Sequence, residues 1–532
     1  MKRKRMAVYF FILNLISNLS FCIYDRSPWA IVCMIGFAAL VAYVESLIVA
    51  AWKNRAWKNS TIIVFSSIHI ILIAVDYFLV FLFGKVCNQD VIDILAETNA
   101  EQTNDFIQSY ISFPNILALL FSISLIIGLA LFLNRWSKIK VVKYLIRSLA
   151  LIGGIGILVS GYGFVRYGDG FSIPQYAAPA RVVWSLRTLI QRYNSIRNLN
   201  LVCQKVTGSC DLTNAPTIIV VIGESFSAYH CSLYGYEKET FPLLKQREEN
   251  GNLCVMQDVV CIADATHRNM KAIFSLGNGD SDFDTKPLFP AVFKNVGYKT
   301  ELLDNQYFFG QGVTFLTDRE LSSKLFDERN EEGYTYDGDM IDDLRELHSP
   351  ALYIFHLWGQ HYTYAHRYPD SFHKFNESDY GGMEHGDIVA HYDNANLYND
   401  YVVDEIIKRF ESDDALLVYF SDHGEEVYEQ GFMGHGTFLT SKDFRYQLRV
   451  PMLIWMSDKF MQKRGNVAST IKERVKAPLM TSDVSHFLLD VAGIDTEAFD
   501  ATRSFIHERY DTSRPRLVMG NWDYDKHLED LK

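Results

Sequence analysis

Long apolar stretches make up the first third of the chain, and short ones the remainder. Residues 6–24, 29–52, 61–84, 114–134 and 144–165 are rich in Leu, Ile, Val, Phe and Ala and carry few charges. Each reaches or approaches the ~20 residues a helix needs to cross a bilayer, so the pattern predicts a five-span α-helical membrane domain. From residue 216 onward the pattern changes. The runs TIIVVI at 217–222, LYIFHL at 352–357, LLVYF at 416–420 and PMLIW at 451–455 read as buried parallel strands. Between them, segments such as 397–410 have the amphipathic period of covering helices. This alternation predicts a soluble α/β domain with a mostly parallel sheet covered by helices, its functional groups at the carboxyl ends of the strands.

The expected organisation is a membrane domain at 1–165, a linker with interfacial helices at 166–215 and an exported domain at 216–532. The linker carries Trp184 among Arg residues, a composition suited to grazing a bilayer surface. A loop at 85–110, with Ile and Leu at helical spacing among acidic and amide residues, suggests short amphipathic helices at the membrane surface. The opening MKRKR resembles the start of a signal peptide, but four further spans follow and no small-residue cleavage site ends the first, so a retained anchor is expected.

Charge separates the two parts. Residues 1–165 hold 14 basic and 8 acidic residues, a net of +6, whereas the remainder holds 37 and 55, a net of −18. Alternate loops collect eleven Lys or Arg on one side, and the other side has only Arg26 and Lys85. The positive-inside rule then places the amino terminus in the cytoplasm and everything after residue 165 outside it. Such an acidic exported domain is not expected to bind nucleic acid. Glu45, His69 and Asp76 fall within spans and are expected to serve helix packing or lipid headgroup contact. Of the cysteines in the exported part, Cys203 with Cys210 and Cys254 with Cys261 are close enough in sequence for disulfides, which would leave Cys231 over.

The chemistry concentrates in SDHGEE at 421–426 and GHG at 434–436. Asp422 and His423 stand side by side just after an apolar strand, and His435 returns on a nearby glycine-bounded loop. A carboxylate and an imidazole at a strand end are suitable ligands for zinc. Glu224, in GES after the first exported strand, is a further candidate, although strand-end Glu residues often cap the next helix instead. Thr266 lies where a helix is expected to begin. A hydroxyl there either caps the helix or, in the company of a metal, serves as a nucleophile. Asn305, in DNQ after the strand-like YKTELL, has the chemistry to contact phosphate. His361 is expected in the loop after LYIFHL, with His356 inside that strand, and His356, His366 and His391 read as packed or surface residues.

Taken together and in this order, IGESFSAYHCSLYGY, ADATHRNMKAIFS, GQHYTYAHRYP, YDNANLYNDYVVDEII, SDHGEE and GHG resemble the membrane-bound phosphoethanolamine transferases of the alkaline phosphatase and sulfatase superfamily. The resemblance covers the chain from about residue 216 onward. It implies a Zn2+ held by Glu224, Thr266, Asp422 and His423, with Thr266 as nucleophile. It also implies that Asn305, His361 and His435 bind the phosphoryl group or a second zinc, and that His361 or His435 protonates the leaving oxygen. The implied reaction takes phosphoethanolamine from phosphatidylethanolamine through a phosphothreonine-type intermediate to lipid A or another envelope glycan. The implied location is the inner membrane of a bacterium, with the catalytic domain in the periplasm.

Two departures bear on substrate handling. The Cys-Gly-Thr-x-Thr string of the lipid A modifying members reads IADAT here, and NQYFFGQG lacks the Lys that usually follows the Asn. The nearest alternative is a phosphoglycerol transferase of the lipoteichoic acid synthase type, which Phe226 after GES favours slightly. A formylglycine-dependent sulfatase is disfavoured because the Cys-x-Pro-x-Arg string is absent. A non-catalytic lipid-binding membrane protein is a third reading, opposed by the presence of every implied zinc ligand.

Overall fold

The computed structural model describes residues 3–24, 28–83, 86–87, 128, 148, 178–277, 283–307, 314–344, 346–431, 433–435, 443–520 and 522–530. The spans expected at 114–134 and 144–165 lie outside the described residues apart from 128 and 148. So do the loop expected at 85–110, apart from 86–87, and the side chain of Trp184. The chain divides into two compact units, one of residues 1–193 with 310–313 and one of the rest.

In the first unit, α1 (Arg3–Tyr24), α2 (Pro28–Ala51) and α3 (Arg55–Phe83) pack together. Met34–Ala51 and Arg55–Val80 are long and apolar enough to cross a membrane, and Met6–Ser20 is a shorter apolar helix. These helices fit the amino-terminal part of a membrane domain. Their polar residues are turned into the bundle: Asn14 Nδ2 donates to Glu45 Oε2 at 2.9 Å, and His69 Nε2 lies 2.8 Å from Glu45 Oε1. Asp76 is buried in an ion pair with Arg181, from the start of α4 (Ala178–Gln204). Polar groups inside an apolar bundle are satisfied by one another because lipid offers them no partner. Glu45, His69 and Asp76 are thus each joined to a neighbouring helix, as helix packing requires.

The second unit is built on a seven-stranded sheet. Its strands are β1 (Thr217–Gly223), β2 (Leu253–Val255), β3 (Lys299–Asp304), β4 (Glu328–Arg329), β5 (Ala351–His356), β6 (Ala415–Ser421) and β7 (Met452–Met456). The order across the sheet is β2-β7-β6-β1-β5-β3-β4. Every residue of β1, β5, β6 and β7 is buried, which is why these strands read as unbroken apolar runs. Pairing from β6 through β1, β5 and β3 to β4 is parallel. The PMLIW run, expected to be parallel, forms β7 and pairs antiparallel with both β6 and β2, so the sheet is mixed. A strand buried on both faces looks the same in sequence whichever way it runs. Among the described residues, the connection from β6 to β7 holds a short two-stranded ladder and one four-residue helix, Arg445–Leu448, and no long crossover helix.

The long helix α6 (Gly386–Phe410) lies over one face of the sheet and buries Tyr392, Val402, Val403, Ile406 and Phe410 against Ile219, Val221, Tyr353, Phe355, Leu417 and Tyr419. The short helix α5 (Thr266–Phe274) precedes it in the chain and presents the Thr266 side chain. Register matters most for function. Gly223 pairs with Ser421, and Ile222 pairs with both Phe420 and His356. The residues that follow these strands, Glu224 and Asp422, therefore emerge at one level on adjacent strands.

The expected disulfides do not form. Cys203, Cys210, Cys231, Cys254 and Cys261 are all free thiols, and four of them are buried. Proximity in sequence placed Cys254 and Cys261 within reach of each other, but Cys254 is paired inside the sheet on β2 while Cys261 lies beyond a separate two-stranded ladder.

Candidate active site

Four side chains meet at the carboxyl ends of β1 and β6. Thr266 is the first residue of α5, with Ala265 at the cap position, so its hydroxyl does not cap the helix. Instead Oγ1 lies 3.1 Å and 3.3 Å from the two carboxylate oxygens of Glu224 and 3.2 Å from His423 Nε2. Ligand atoms of Glu224, Asp422 and His423 converge within 4.8 Å of one another, and all three residues are buried. The turn that presents Thr266 is clasped by Asn269, whose Oδ1 accepts from the Ile262 and Ala263 N–H groups and whose Nδ2 donates to Ala263 O.

The backbone is shaped to allow this convergence. Ser225 sits in the left-handed region at φ 57°, its N–H donating to Asp422 Oδ1 at 3.2 Å and its hydroxyl to Glu224 Oε1 at 2.7 Å. Such a conformation persists only where its surroundings over-determine it, and it recurs at functional sites. Gly359 presses against Glu224 from the other side. A Cβ there would stand 2.8 Å from the Glu224 N, so no larger residue fits without moving the carboxylate.

Electrostatics follow from burial. Burial opposes ionisation of Glu224, but the His423 imidazole beside it, with His361 and His435 further off, outweighs this and holds the carboxyl well below its usual range. Asp422 is pushed up to about 6 by burial and by the Glu224 charge. His423 is pushed to about 10, Asp422 and Glu224 overcoming the effect of its burial. Two buried carboxylates this close repel, and a cation between them relieves the repulsion.

The donor set fits a zinc ion. Among the described residues, Asp422 Oδ2 is buried without a hydrogen-bond partner, an orphaned acceptor at the point of convergence. His423 Nδ1 lies 2.8 Å from the Gly424 carbonyl, which orients the ring so that Nε2 faces Thr266 and Glu224. That is the arrangement by which a backbone carbonyl fixes a metal-binding imidazole. Two carboxylates, an imidazole and a hydroxyl are within the zinc repertoire.

His435 comes back beside this group because Glu426 and Val427 pair with Gly434 and Met433 in a short antiparallel ladder. Its ring stands 4.2 Å from that of His423, and its Nδ1 is 2.7 Å from Glu425 Oε2. The other oxygen of Glu425 accepts from the Tyr364 hydroxyl at 2.7 Å. Tyr364, Glu425 and His435 thus form a chain of hydrogen bonds that fixes the imidazole. His423, Glu425 and His435 make a second group able to hold a metal ion.

The remaining expected residues divide. His361 is in the loop after β5, with Nδ1 2.8 Å from the Tyr362 carbonyl. His356 is buried inside β5, with Nδ1 3.0 Å from Asp304. Asn305 is buried, its Nδ2 donating to Asp337 and its Oδ1 accepting from the Tyr334 N–H. Asp337 in turn accepts from the Trp358 and Gly359 N–H groups, so Asn305 braces the loop behind Glu224. Its neighbour Gln306 is the one that touches the cluster, donating to Glu224 Oε2 at 3.1 Å. Ser225, Gln306, Glu425 and Tyr364 were not singled out in the sequence. Each lies within one or two residues of an expected ligand or inside a matching motif, which is the signal that would have found them.

The chain is 29% identical over 478 residues to phosphoethanolamine transferase EptC of Escherichia coli O18:K1:H7 (strain RS218 / NMEC), covering 82% of this chain and 80% of that protein. The C-terminal periplasmic domain of EptC from Escherichia coli, solved in complex with Zn, superimposes with a TM-score of 0.52 at 28% identity over 60% of this chain and 96% of that one. The integral membrane lipooligosaccharide phosphoethanolamine transferase A (EptA) of Neisseria meningitidis shares the fold over 93% of this chain and 97% of its own, with a TM-score of 0.62 at 17% identity. The profile of the Sulfatase family matches residues 216–494, more than half of the chain and the whole of the site just described, and the chain belongs to that family.

Proposed function

We propose that the protein is a phosphoethanolamine transferase, moving phosphoethanolamine from phosphatidylethanolamine to an acceptor of the cell envelope such as lipid A or a surface glycan. The observation that carries this reading is the Thr266 hydroxyl, 3.1 Å from Glu224 and 3.2 Å from His423, beside the unpartnered Asp422 oxygen. Similarity to EptC supports the transferred group. The proposed layout is a five-span anchor at 1–165, a linker at 166–215 and a catalytic domain at 216–532. The anchor lies in the inner membrane with its amino terminus in the cytoplasm, and the catalytic domain faces the periplasm.

In the proposed mechanism, Thr266 Oγ1 attacks the phosphorus of the donor phosphodiester. A bond from Oγ1 to phosphorus forms, the bond from phosphorus to the diacylglycerol oxygen breaks, and phosphoethanolamine is left on Thr266. The Thr266 proton passes toward Glu224, whose carboxylate is ionised and within hydrogen-bond reach. The diacylglycerol oxygen takes a proton from His435, which Glu425 orients, or from His361. In the second half the acceptor hydroxyl attacks the same phosphorus and loses its proton to that imidazole. The bond from Thr266 Oγ1 to phosphorus then breaks, and Glu224 returns the proton that restores the hydroxyl. We assign phosphoryl contacts to Gln306, His361 and His435, and assign Asn305 to the framework. Glu224, Thr266, Asp422 and His423 would hold a Zn2+, which supplies Lewis-acid stabilisation of the alkoxide and of charge developing on phosphorus.

Mass spectrometry of the purified full chain incubated with phosphatidylethanolamine tests the reading. A phosphoethanolamine adduct on Thr266, absent from Thr266→Ala, is expected. A glycerophosphate adduct formed from phosphatidylglycerol instead would transfer the assignment to the phosphoglycerol transferases. Transfer at wild-type rate by Thr266→Ala would end the nucleophile assignment.

A further inference from the structure

We propose that an acidic cleft at the β3–β4 edge of the sheet, apart from the Thr266 site, binds an organic ammonium ligand of the diamine or polyamine class. The cleft has a volume of about 360 Å³ and is lined by Glu301 of β3, Glu328 of β4, Asp343 and Glu346 after β4, and His348 before β5, with the Arg329 guanidinium also in its wall and paired there with Asp304 at 3.2 Å, so that four carboxylates face one committed cation. Glu301 pairs in register with Glu328, which sets two carboxylates side by side on one face of the sheet. Like charges directly opposite in a sheet are destabilising, and only one of these two is compensated: Lys299 Nζ lies 2.8 Å from Glu328 Oε1. Asp343 accepts from the Tyr334 hydroxyl.

Glu301 points to a ligand. It is only 9% exposed, it lines the cleft, and among the described residues its carboxylate has no hydrogen bond or ion pair. Burial, Glu328 and Asp343 push this carboxyl up to about 7 against the opposing pull of Lys299. Buried carboxylates are ordinarily paired, and an unpaired one facing a cavity is completed by a donor from outside. Tyr353 of β5 neighbours it in register. Arg345 lies outside the described residues.

The shape of the cleft selects the class of ligand. Among the described residues these acids do not form a group whose ligand atoms converge as a bare metal requires. The volume is in the range of small-molecule sites, far above that of an ion with its inner ligands. Carboxylates only accept hydrogen bonds, and ammonium groups only donate them. A chain carrying two or more ammonium groups matches several carboxylates spread along a cleft. The cleft is separate from the catalytic residues. Glu301 lies three residues before Asp304, roughly 10 Å back along β3 from the strand end that faces the active site.

Isothermal titration of the full chain in detergent with spermidine at pH 8, at constant ionic strength, tests the proposal. Saturable single-site binding is expected, weakened about tenfold in Glu301→Gln, with transfer activity unchanged in that variant. Glu346→Gln, at the exposed rim, should weaken binding by a smaller factor and provides the same test without altering a buried position. Absence of saturable binding would overturn the proposal. So would equal binding by Glu301→Gln and wild type, or Mg2+ competing as well as spermidine at matched ionic strength.

Discussion

Substitution of Gly424 by alanine tests whether the site depends on close backbone approach. Gly424 stands between His423 and Glu425, and its N–H donates to Gln447 O at 2.8 Å. A Cβ placed on it would lie 2.2 Å from the Tyr446 carbonyl oxygen, a backbone atom with no freedom to rotate away. Ordinary carbon–oxygen contacts begin near ~3.3 Å, so one of the two segments must retreat by about 1 Å. Overpacking of this kind costs about 1–3 kcal/mol of stability. Movement of His423 and Glu425 by a comparable distance should lower turnover about 100-fold, close to 2.7 kcal/mol of barrier. Release of diacylglycerol from a fluorescent phosphatidylethanolamine measures turnover, and elemental analysis of the same samples measures zinc. We expect the folded variant to lose both activity and zinc. Wild-type turnover with a full zinc complement in Gly424→Ala would refute the reasoning, because it would mean that the 446–447 segment yields at no cost to the ligands.

Tyr364→Phe removes the hydroxyl that donates to the buried Glu425 and should reduce kcat about tenfold with little change in KM, as measured by the same assay. An unchanged kcat would show that Glu425 orients His435 without help. His230 is buried between Asp393 and Glu429, and those carboxylates outweigh its burial and push it to about 10. Because this folded value lies above the ordinary imidazole value, the stabilisation is fully present below about pH 6.5 and is lost as pH rises through about 10. Melting temperature should therefore fall more between pH 7 and about 10 for the wild type than for His230→Gln, and parallel curves would contradict the charged-imidazole reading. Treatment with dithiothreitol should leave the melting temperature unchanged, because the described cysteines are free thiols. A downward shift would reveal a disulfide.

How far the sequence could be read depended on whether a feature was local. Strand runs at 217–222, 352–357 and 416–420 lie on β1, β5 and β6 within a residue or so, since burial on both faces leaves a continuous apolar record. The direction of β7 left no such record, because antiparallel pairing with Phe420 to Leu416 demands no different residue types. At the site, SDHGEE and GHG announced Asp422, His423 and His435 because strand-end ligands cluster in sequence. The sequence offers Asn305 and Gln306 side by side, and in the structure it is Gln306 that reaches Glu224 while Asn305 donates to Asp337. Adjacent residues after a strand point in opposite directions, and only the fold decides which of them faces Glu224.

By itself, the amino-acid sequence determined that an apolar, basic amino-terminal part precedes an acidic α/β domain, and that Thr, Glu, Asp and His sit at strand ends and a helix start where metal-assisted chemistry is possible. These are matters of composition and short period, written residue by residue. The tertiary structure alone decided that Glu224 and Asp422 emerge together, through the pairing of Gly223 with Ser421. It also decided that Thr266 turns toward them instead of capping its helix, that Glu425 orients His435, and that the thiols stay apart. Each of these depends on contacts between segments far apart in the chain, and such contacts are set by register and packing that no local pattern encodes.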